Sequence, residues 1–170
     1  MYQYFMDSPI GRLRLVENDG FIKEISRADV PGARLNSEGK VIKAAETFVE
    51  AVTKKTEVLA EAERQLREYF AGVRKAFDLL LKPDGTAFFQ SVWKALQEIP
   101  YGETRTYGDI AKAVGKPKAA RAVGMANHYN PIMIVIPCHR VIGANGQLVG
   151  YAGGLDVKQR LLDLEMSHAG

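Results

Sequence analysis

Lys82-Pro83-Asp84-Gly85 divides the chain into two parts whose sequence patterns differ. Proline interrupts helices and central strands, and glycine adopts turn conformations at no steric cost, so this run indicates a linker. Before it, apolar and polar residues alternate as in strands, and after it apolar residues recur at helical spacing. These patterns predict an α+β fold, in which residues 1–84 form a small mixed α/β domain with an antiparallel sheet and residues 85–170 form a mostly helical domain.

The N-terminal part predicts a sheet followed by helices. Residues 2–27 alternate in the manner of strands, and Asn18-Asp19-Gly20 is the signal of a hairpin turn. A polar loop is expected over residues 31–40. Periodicity predicts three further elements, which are helices near residues 41–52 and 61–71 and a strand formed by Phe77, Leu79 and Leu81.

The C-terminal part predicts a series of helices. Thr86 can cap a first helix with one apolar face. Thr106 and Asp109 have the spacing of a capping box at the start of a second helix, which Gly115 ends, and residues 118–127 form a third. Because two short helices joined by a glycine-containing turn suit a helix-turn-helix, the second and third helices are a candidate DNA-binding motif.

The third of these helices consists largely of small residues, so its backbone can approach another surface closely. Arg121 is the long cationic side chain in the middle of this Ala-rich stretch. The surface that this helix approaches is either a neighbouring helix or the floor of a DNA groove. Residues 1–85 contain 14 basic and 14 acidic residues, so the net charge of +3 comes from the 9 basic and 6 acidic residues of the second half. This weak bias permits a polyanionic partner without requiring one.

Cys138 is the single cysteine of the chain, which excludes an internal disulfide and a zinc site built from several thiolates. With three histidines besides, we expect no metal and no other cofactor. The apolar run 132–136, just before Cys138, predicts a buried strand. An inert core cysteine would be expected inside that run. This thiol lies beyond it, beside His139 and Arg140, an electropositive setting that lowers the pKa of a thiol and favours a nucleophile.

The sequence Pro137-Cys138-His139-Arg140-Val141-Ile142-Gly143 resembles the active-site signature of the O6-alkylguanine-DNA alkyltransferases, also called methylated-DNA–protein-cysteine methyltransferases. The resemblance extends over residues 88–165, whereas residues 1–85 match the family only in length and in the general pattern of apolar and polar residues. Three further motifs stand in the family's order, namely Pro100-Tyr101-Gly102-Glu103-Thr104, Ala120-Arg121-Ala122-Val123-Gly124 and Tyr151-Ala152-Gly153-Gly154.

This resemblance implies direct-reversal DNA repair. The alkyl group of O6-alkylguanine, with O4-alkylthymine as a second candidate substrate, would pass irreversibly to Cys138 in a single turnover. The protein would bind double-stranded DNA in the minor groove and extrude the base, since the alkyl carbon is out of reach within the stack. His139 would act through a water as the base, Glu165 would orient His139, and Asn130 would stabilise the turn that presents Cys138.

The resemblance also implies substrate and DNA contacts. Four residues would bind the flipped base: Tyr107 by donating to the guanine ring, Val141 by its carbonyl together with that of Cys138, Tyr151 by packing on the base, and Ala152 by its amide at O6. Arg121 would fill the space that the base leaves. Further DNA contacts are implied at Ala120, Gly124, Gly108 and Lys116. Met133 stands where certain members carry proline, a departure expected to narrow the pocket for bulky adducts.

The surroundings of the protein are also constrained by the sequence. No apolar run approaches the roughly 20 residues of a membrane span, and the N-terminus lacks the pattern of a signal peptide. We therefore expect a monomer with no membrane partner, located in the cytoplasm of a prokaryotic cell or in the nucleus of a eukaryotic one.

Two other functions are compatible with parts of the pattern. A DNA-binding regulator or lesion sensor would use the helix-turn-helix without chemistry. A thiol hydrolase would use Cys138 and His139 on an ester or amide, but that function leaves Arg121 and its helix unexplained. Methyl transfer from O6-methylguanine DNA separates the alkyltransferase from the sensor, and sustained turnover on an ester or amide would identify the hydrolase.

Overall fold

The computed structural model describes residues 1–30, 32–36, 38–43, 46–151 and 154–170. The N-terminal elements are β1 (Tyr2–Ser8), β2 (Gly11–Asn18), β3 (Phe21–Arg27), β4 (Ala33–Leu35), β5 (Val41–Lys43), β6 (Val52–Thr53) and α1 (Glu57–Phe70). The C-terminal elements are α2 (Ala87–Leu96), β7 (Arg105–Thr106), α3 (Tyr107–Ala113), α4 (Ala120–His128), a 3-10 turn (Cys138–Arg140), β8 (Val141–Ile142) and α5 (Leu155–His168).

The main sheet has the strand order β3-β2-β1-β6 and confirms the predicted α+β class. Strands β1, β2 and β3 are antiparallel, and the short β6 adds to β1 in parallel. Asp19 (φ 51°) and Gly20 (φ 85°) both adopt left-handed conformations between β2 and β3. Two consecutive residues with positive φ give a turn whose twist matches that of the strands, so the predicted hairpin is confirmed.

Residues 41–52, predicted as a helix, contain no α-helix in their described part. Val41–Lys43 is β5 and pairs with β4, while Val52 and Thr53 join the edge of the main sheet. Pairing with strands remote in sequence outweighs the weak local helical pattern. The predicted helix near 61–71 is present as α1, and it begins earlier because Thr56 caps it by accepting from the amide of Leu59.

The segment predicted as a last strand before the linker forms only one bridge, between Leu81 and Ile22. Phe77, Leu79 and Leu81 are nevertheless half-buried, and the residues between them are exposed. The alternation thus reports correctly which side chains face the core, although the backbone does not continue the sheet.

The apolar run 132–136 is buried as predicted, but it is a series of turns rather than a strand. The amide of Ile25 donates to Pro131 (2.9 Å) and the amide of Met133 donates to Ile25 (2.9 Å), so the run touches the edge of β3 at one point. The chain then bends, with Ile134 at φ 73°. Burial on all sides explains the continuous apolar sequence, which does not distinguish a strand from a buried turn.

Both halves of the chain contribute to one hydrophobic core. Leu13, Leu15 and Leu66 from the N-terminal half are fully buried in the same cluster as Leu96 and Ile132. Within the C-terminal half, the indole of Trp93 on α2 donates to the carbonyl of Ala126 on α4 (2.8 Å). The sheet therefore packs against the helical half next to the segment that leads to Cys138. Among the residues described, no helix combines the length and the apolar character needed to cross a membrane.

Candidate active site

Cys138 begins the 3-10 turn, and Asn130 holds that turn in place. The Asn130 amide nitrogen donates to the carbonyl of Ile136 (2.9 Å) and to Sγ of Cys138 (3.1 Å), while its oxygen accepts from the amide of Ile132 (3.0 Å). One buried side chain thus fixes both ends of the bend and the sulfur. These bonds are what a turn-stabilising role of Asn130 requires.

The thiol of Cys138 is buried, with 5% of the residue exposed. Burial raises the pKa of Cys138, and the hydrogen bond from Asn130 only partly opposes this rise. The sequence prediction of an electropositive setting that lowers this pKa is therefore wrong. Its two basic neighbours, His139 and Arg140, interact with other groups. Before the reaction the thiol is therefore neutral.

His139 lies against Glu165, with 2.6 Å between Nε2 of the imidazole and Oε2 of the carboxylate. Both side chains are almost completely buried. Burial lowers the pKa of His139 more than the carboxylate raises it, so the imidazole is neutral at pH 7. A neutral imidazole that donates from Nε2 to a carboxylate carries a free electron pair on Nδ1, and within the described chain Nδ1 has no hydrogen-bond partner.

Glu165 is the centre of a buried network that the sequence predicted only in part. Arg140 donates to it from Nε (2.7 Å) and Nη2 (3.1 Å), the Tyr69 hydroxyl donates at 2.6 Å and the Gly102 amide at 3.2 Å. Burial would raise the pKa of Glu165, but the bonds from His139 and Arg140 hold it well below its usual range. The carboxylate is therefore ionised and fixed in position.

Two members of this network were missed from the sequence. Arg140 lies inside the signature motif, so its position next to His139 was a usable signal. Tyr69 lies on α1, 96 residues from Glu165 in the chain, and its spacing on an apolar helix face is that of an ordinary core residue. No feature of the nearby sequence therefore identifies Tyr69 as a partner of Glu165.

Lys158 on α5 is a third residue that the sequence gave no reason to select. It is fully buried, and its ammonium group donates to the carbonyls of Val141 (2.5 Å) and Val149 (3.0 Å). Burial lowers the pKa of Lys158, and the Cys138 sulfur opposes that shift. The Val141 carbonyl, predicted to accept from the guanine amino group, is thus already engaged by an ammonium group.

A cavity opens between the two halves of the chain at Cys138. Asn127, Asn130, Met133 and Tyr151 line it, and the N-terminal half contributes further residues, among them Ile25 and Arg34. The buried Tyr151 hydroxyl makes no hydrogen bond within the described residues. The cavity therefore brings the predicted base-packing residue Tyr151 beside the thiol.

Tyr107, the predicted donor to the guanine ring, is the first residue of α3. Its hydroxyl donates to the carbonyl of Val149 (2.9 Å), and burial raises its pKa. A base that takes this hydrogen bond must therefore replace the Val149 carbonyl. The predicted contact of the Ala152 amide lies outside the described residues.

The two helices of the predicted helix-turn-helix are present as α3 and α4. The capping box is confirmed in both directions, since Thr106 accepts from the Asp109 amide and Asp109 accepts from the Thr106 amide. Gly115, at φ 78°, ends the turn after α3 as predicted. The predicted DNA contacts divide by exposure: Arg121 and Lys116 are exposed, while Ala120, Gly124 and Gly108 are half-buried.

Two family models match this sequence and together cover nearly all of it. Residues 87–167 match the model described as 6-O-methylguanine DNA methyltransferase, DNA binding domain. Residues 1–83 match the model described as 6-O-methylguanine DNA methyltransferase, ribonuclease-like domain.

Proteins with related names match this sequence along nearly its whole length. A methylated-DNA–protein-cysteine methyltransferase of Methanosarcina acetivorans is 52% identical over 98% of this chain and 99% of its own. The constitutive enzyme of that name from Bacillus subtilis is 46% identical over 96% and 94%. Among solved structures, Mycobacterium tuberculosis OGT in complex with DNA is 42% identical, covers 99% of this chain and 94% of its own, and superposes with a TM-score of 0.86.

Proposed function

The chain belongs to the 6-O-methylguanine DNA methyltransferase family, and from this premise we propose that Cys138 is the residue that receives the alkyl group. The protein is a methylated-DNA–protein-cysteine methyltransferase, which repairs DNA by moving the alkyl group from the base to a cysteine. Cys138 is its single cysteine. The observation that carries the proposal is the position of this thiol, which lies at a cavity and directly precedes in the chain a neutral imidazole bound to a buried carboxylate.

The transfer is a displacement at the alkyl carbon of O6-alkylguanine. The sulfur forms a bond to that carbon while the bond from carbon to O6 breaks, and the thiol proton passes through a water to Nδ1 of His139. Glu165 stabilises the imidazolium that forms. The electron pair stays on the base, which takes up a proton from the Tyr107 hydroxyl and leaves as neutral guanine. The proton on His139 then returns through water to the Tyr107 oxygen. The net reaction moves the thiol proton to guanine and leaves a thioether.

We further propose that α4 enters the minor groove and that Arg121 occupies the space of the extruded base. The half-buried Ala120 and Gly124 leave little bulk on the same helix, which a narrow groove requires. Gly108 and Lys116 lie on the neighbouring helix and turn, where they reach the DNA backbone. Contacts of this kind go mainly to phosphates, so binding should weaken with salt and depend little on sequence.

The two halves divide this work. Residues 85–170 bind DNA and receive the alkyl group, and residues 1–84 support the site, since Tyr69 donates to Glu165 and β3 pairs with the segment before Cys138. One site reacting once needs no second subunit, so we propose a monomer. Its place is the compartment that holds the DNA, which is the cytoplasm in a prokaryote.

The proposed chemistry predicts transfer of one methyl group per protein molecule. The C–S bond of an alkyl thioether is not cleaved by water or by thiols, so the single cysteine of the chain is consumed when it reacts. With O6-methylguanine duplex in excess, labelled methyl should accumulate on the protein to a plateau of one equivalent. Turnover that continues past one equivalent would contradict the mechanism, and absence of any transfer would favour a lesion sensor.

Arg121→Ala should slow repair of duplex DNA by about 10-fold or more, because extruding a base costs a few kcal/mol that Arg121 helps to offset. Reaction with free O6-benzylguanine, which needs no extrusion, should proceed at the rate of the unaltered protein. Single-turnover rates on both substrates measure this difference.

Lys94→Ala is the matched control, since Lys94 is an exposed cation on α2 and has no proposed role. It should leave both rates as they are. An equal loss on duplex and free base in Arg121→Ala would instead assign Arg121 a role in the fold.

A further inference from the structure

Asn127 on α4 lines the cavity at Cys138 and has no assigned role. Only 4% of this residue is exposed. Neither its amide nitrogen nor its amide oxygen has a hydrogen bond of standard geometry with a residue that the structure describes, although the amide lies close enough to the Tyr107 hydroxyl to lower the pKa of Tyr107. Its neighbour in space, Asn130, is equally buried but uses both ends of its amide to hold the turn.

An unpaired buried amide is costly to keep. Leaving a buried donor or acceptor unsatisfied is destabilising, and most buried polar groups in proteins are therefore paired. A polar side chain that lines a binding cavity can have its partner on the ligand. Asn127 presents both a donor and an acceptor there, whereas Tyr151 presents a single hydroxyl.

The position of Asn127 is defined by its neighbours. It lines the cavity together with Cys138 and Tyr151. Burial raises the pKa of Tyr107 and the Asn127 amide opposes that rise, so the Tyr107 hydroxyl is close to Asn127. The Val141 carbonyl is engaged by Lys158. The Asn127 oxygen is thus an acceptor in this cavity that no described residue occupies.

The two candidate lesions differ in what they offer to such an amide. In O6-alkylguanine, the 2-amino group is a donor with a ring nitrogen acceptor on each side, N1 and N3. In O4-alkylthymine, N3 carries no proton and lies beside the acceptor O2, so that edge contains acceptors alone. An asparagine amide, with one acceptor and two donors, matches the guanine edge at both of its ends and the thymine edge at one.

We infer that Asn127 reads the 2-amino group and an adjacent ring nitrogen of the flipped base, and thereby makes the protein selective for alkylguanine over alkylthymine. The inference rests on the proposed function, because it takes the flipped base as the occupant of the cavity. On thymine the Asn127 oxygen stays buried without a donor, and this penalty is the source of the selectivity.

The test compares single-turnover methyl transfer from three lesions in one duplex sequence: O6-methylguanine, O6-methylhypoxanthine, which lacks the 2-amino group, and O4-methylthymine. Asn127→Leu removes both polar ends at similar volume, and Asn127→Asp keeps the shape but loses the donor. Asn127→Leu should react with O6-methylguanine about 10-fold more slowly, as expected for loss of a buried hydrogen bond. With O6-methylhypoxanthine and O4-methylthymine the substitution removes the bond to the ring nitrogen but also the buried oxygen that lacks a donor, so the variant's rate should stay within about 2-fold of the unaltered protein's.

Asn127→Asp should also lose rate on O6-methylguanine, and His128→Leu should keep the original ratios among the lesions. His128 is the next residue on α4 but is exposed and outside the cavity lining. Equal slowing of Asn127→Leu on all three lesions, or no slowing on any, would overturn the inference. Failure of the unaltered protein to transfer methyl from any lesion would overturn the proposed function itself, and the two results cannot be confused.

Discussion

Cys138→Ala is expected to transfer no methyl group from O6-methylguanine DNA while binding the same duplex as tightly as the unaltered protein does. The substitution removes the chain's single thiol, and with it the proposed acceptor. It leaves the exposed Arg121 on α4 unchanged, because the sulfur is buried and Arg121 lies on the surface. Rapid-quench transfer and fluorescence anisotropy at one fixed salt concentration measure the two properties separately.

Cys138→Ser is the control for packing. A serine keeps nearly the same volume and an acceptor for the Asn130 amide, but its hydroxyl is a far weaker nucleophile than a thiol. It should therefore be as inactive as Cys138→Ala, with the same affinity for DNA. Stable methyl transfer in either variant would show that another residue receives the group.

Glu165→Gln should slow methyl transfer by about 10² or more at neutral pH, by analogy with orienting carboxylates in other triads. A glutamine amide can turn its nitrogen toward His139, which would favour the wrong tautomer and place the proton on Nδ1. The neutral thiol would then have no base, and burial already raises the pKa of Cys138. The structure predicts a lower melting temperature, because the buried Arg140 guanidinium loses its charge partner.

A pH–rate profile separates the relay from the fold. The unaltered protein should keep its rate from neutral pH down to the range where His139 becomes protonated, which lies below that of a free imidazole because burial lowers the pKa of His139. Glu165→Gln should instead gain rate steadily as the pH rises and the thiol ionises unaided. Rates are compared only at temperatures where thermal melts show the variant folded.

Tyr69→Phe is the matched control for this network. It removes one hydrogen bond to Glu165 without changing charge or volume, and the bonds from Arg140 and Gly102 remain. We expect a much smaller loss of rate and an unchanged shape of the pH profile. If folded Glu165→Gln reacted at the original rate across the whole range, Glu165 would have no part in the relay.

Features set by neighbouring residues could be predicted from the sequence. The hairpin at Asp19 and Gly20, the capping box at Thr106 and Asp109, and the end of α3 near Gly115 all depend on contacts within a few residues. The signature motif is likewise a run of neighbouring residues, and the family that it indicated is confirmed by the family models.

Features set by remote contacts could not be predicted. The run 132–136 looks like a strand because it is buried, yet the single contact with Ile25 does not extend it into the sheet. The pairing of β6 with β1, which lies about 50 residues earlier in the chain, outweighed a local helical pattern. Tyr69 and Lys158 reach the site from α1 and α5, and neither carries a sequence signal that distinguishes it from a core aromatic or a surface lysine.

The charge state of the thiol is the clearest example of this limit. Two basic neighbours suggested a lowered pKa for Cys138, but Glu165 binds both of them and burial raises the pKa instead. Because the thiol is buried and neutral, and the imidazole that follows it in the chain is neutral too, the thiol is protected from other electrophiles until an alkylated nucleobase enters the cavity. The Cys138 thiol therefore loses its proton during the reaction, and not in the protein before the substrate binds.

The central claim, that Cys138 takes the alkyl group, is tested most directly by locating the methyl after reaction. The protein is mixed with an equal amount of duplex carrying O6-methylguanine with an isotopically labelled methyl group, then digested and sequenced by mass spectrometry. We predict that all of the protein-bound label is on the Cys138 sulfur as a thioether and that the DNA contains unmodified guanine. Label on any other residue, or released methanol with an unmodified Cys138, would contradict the claim.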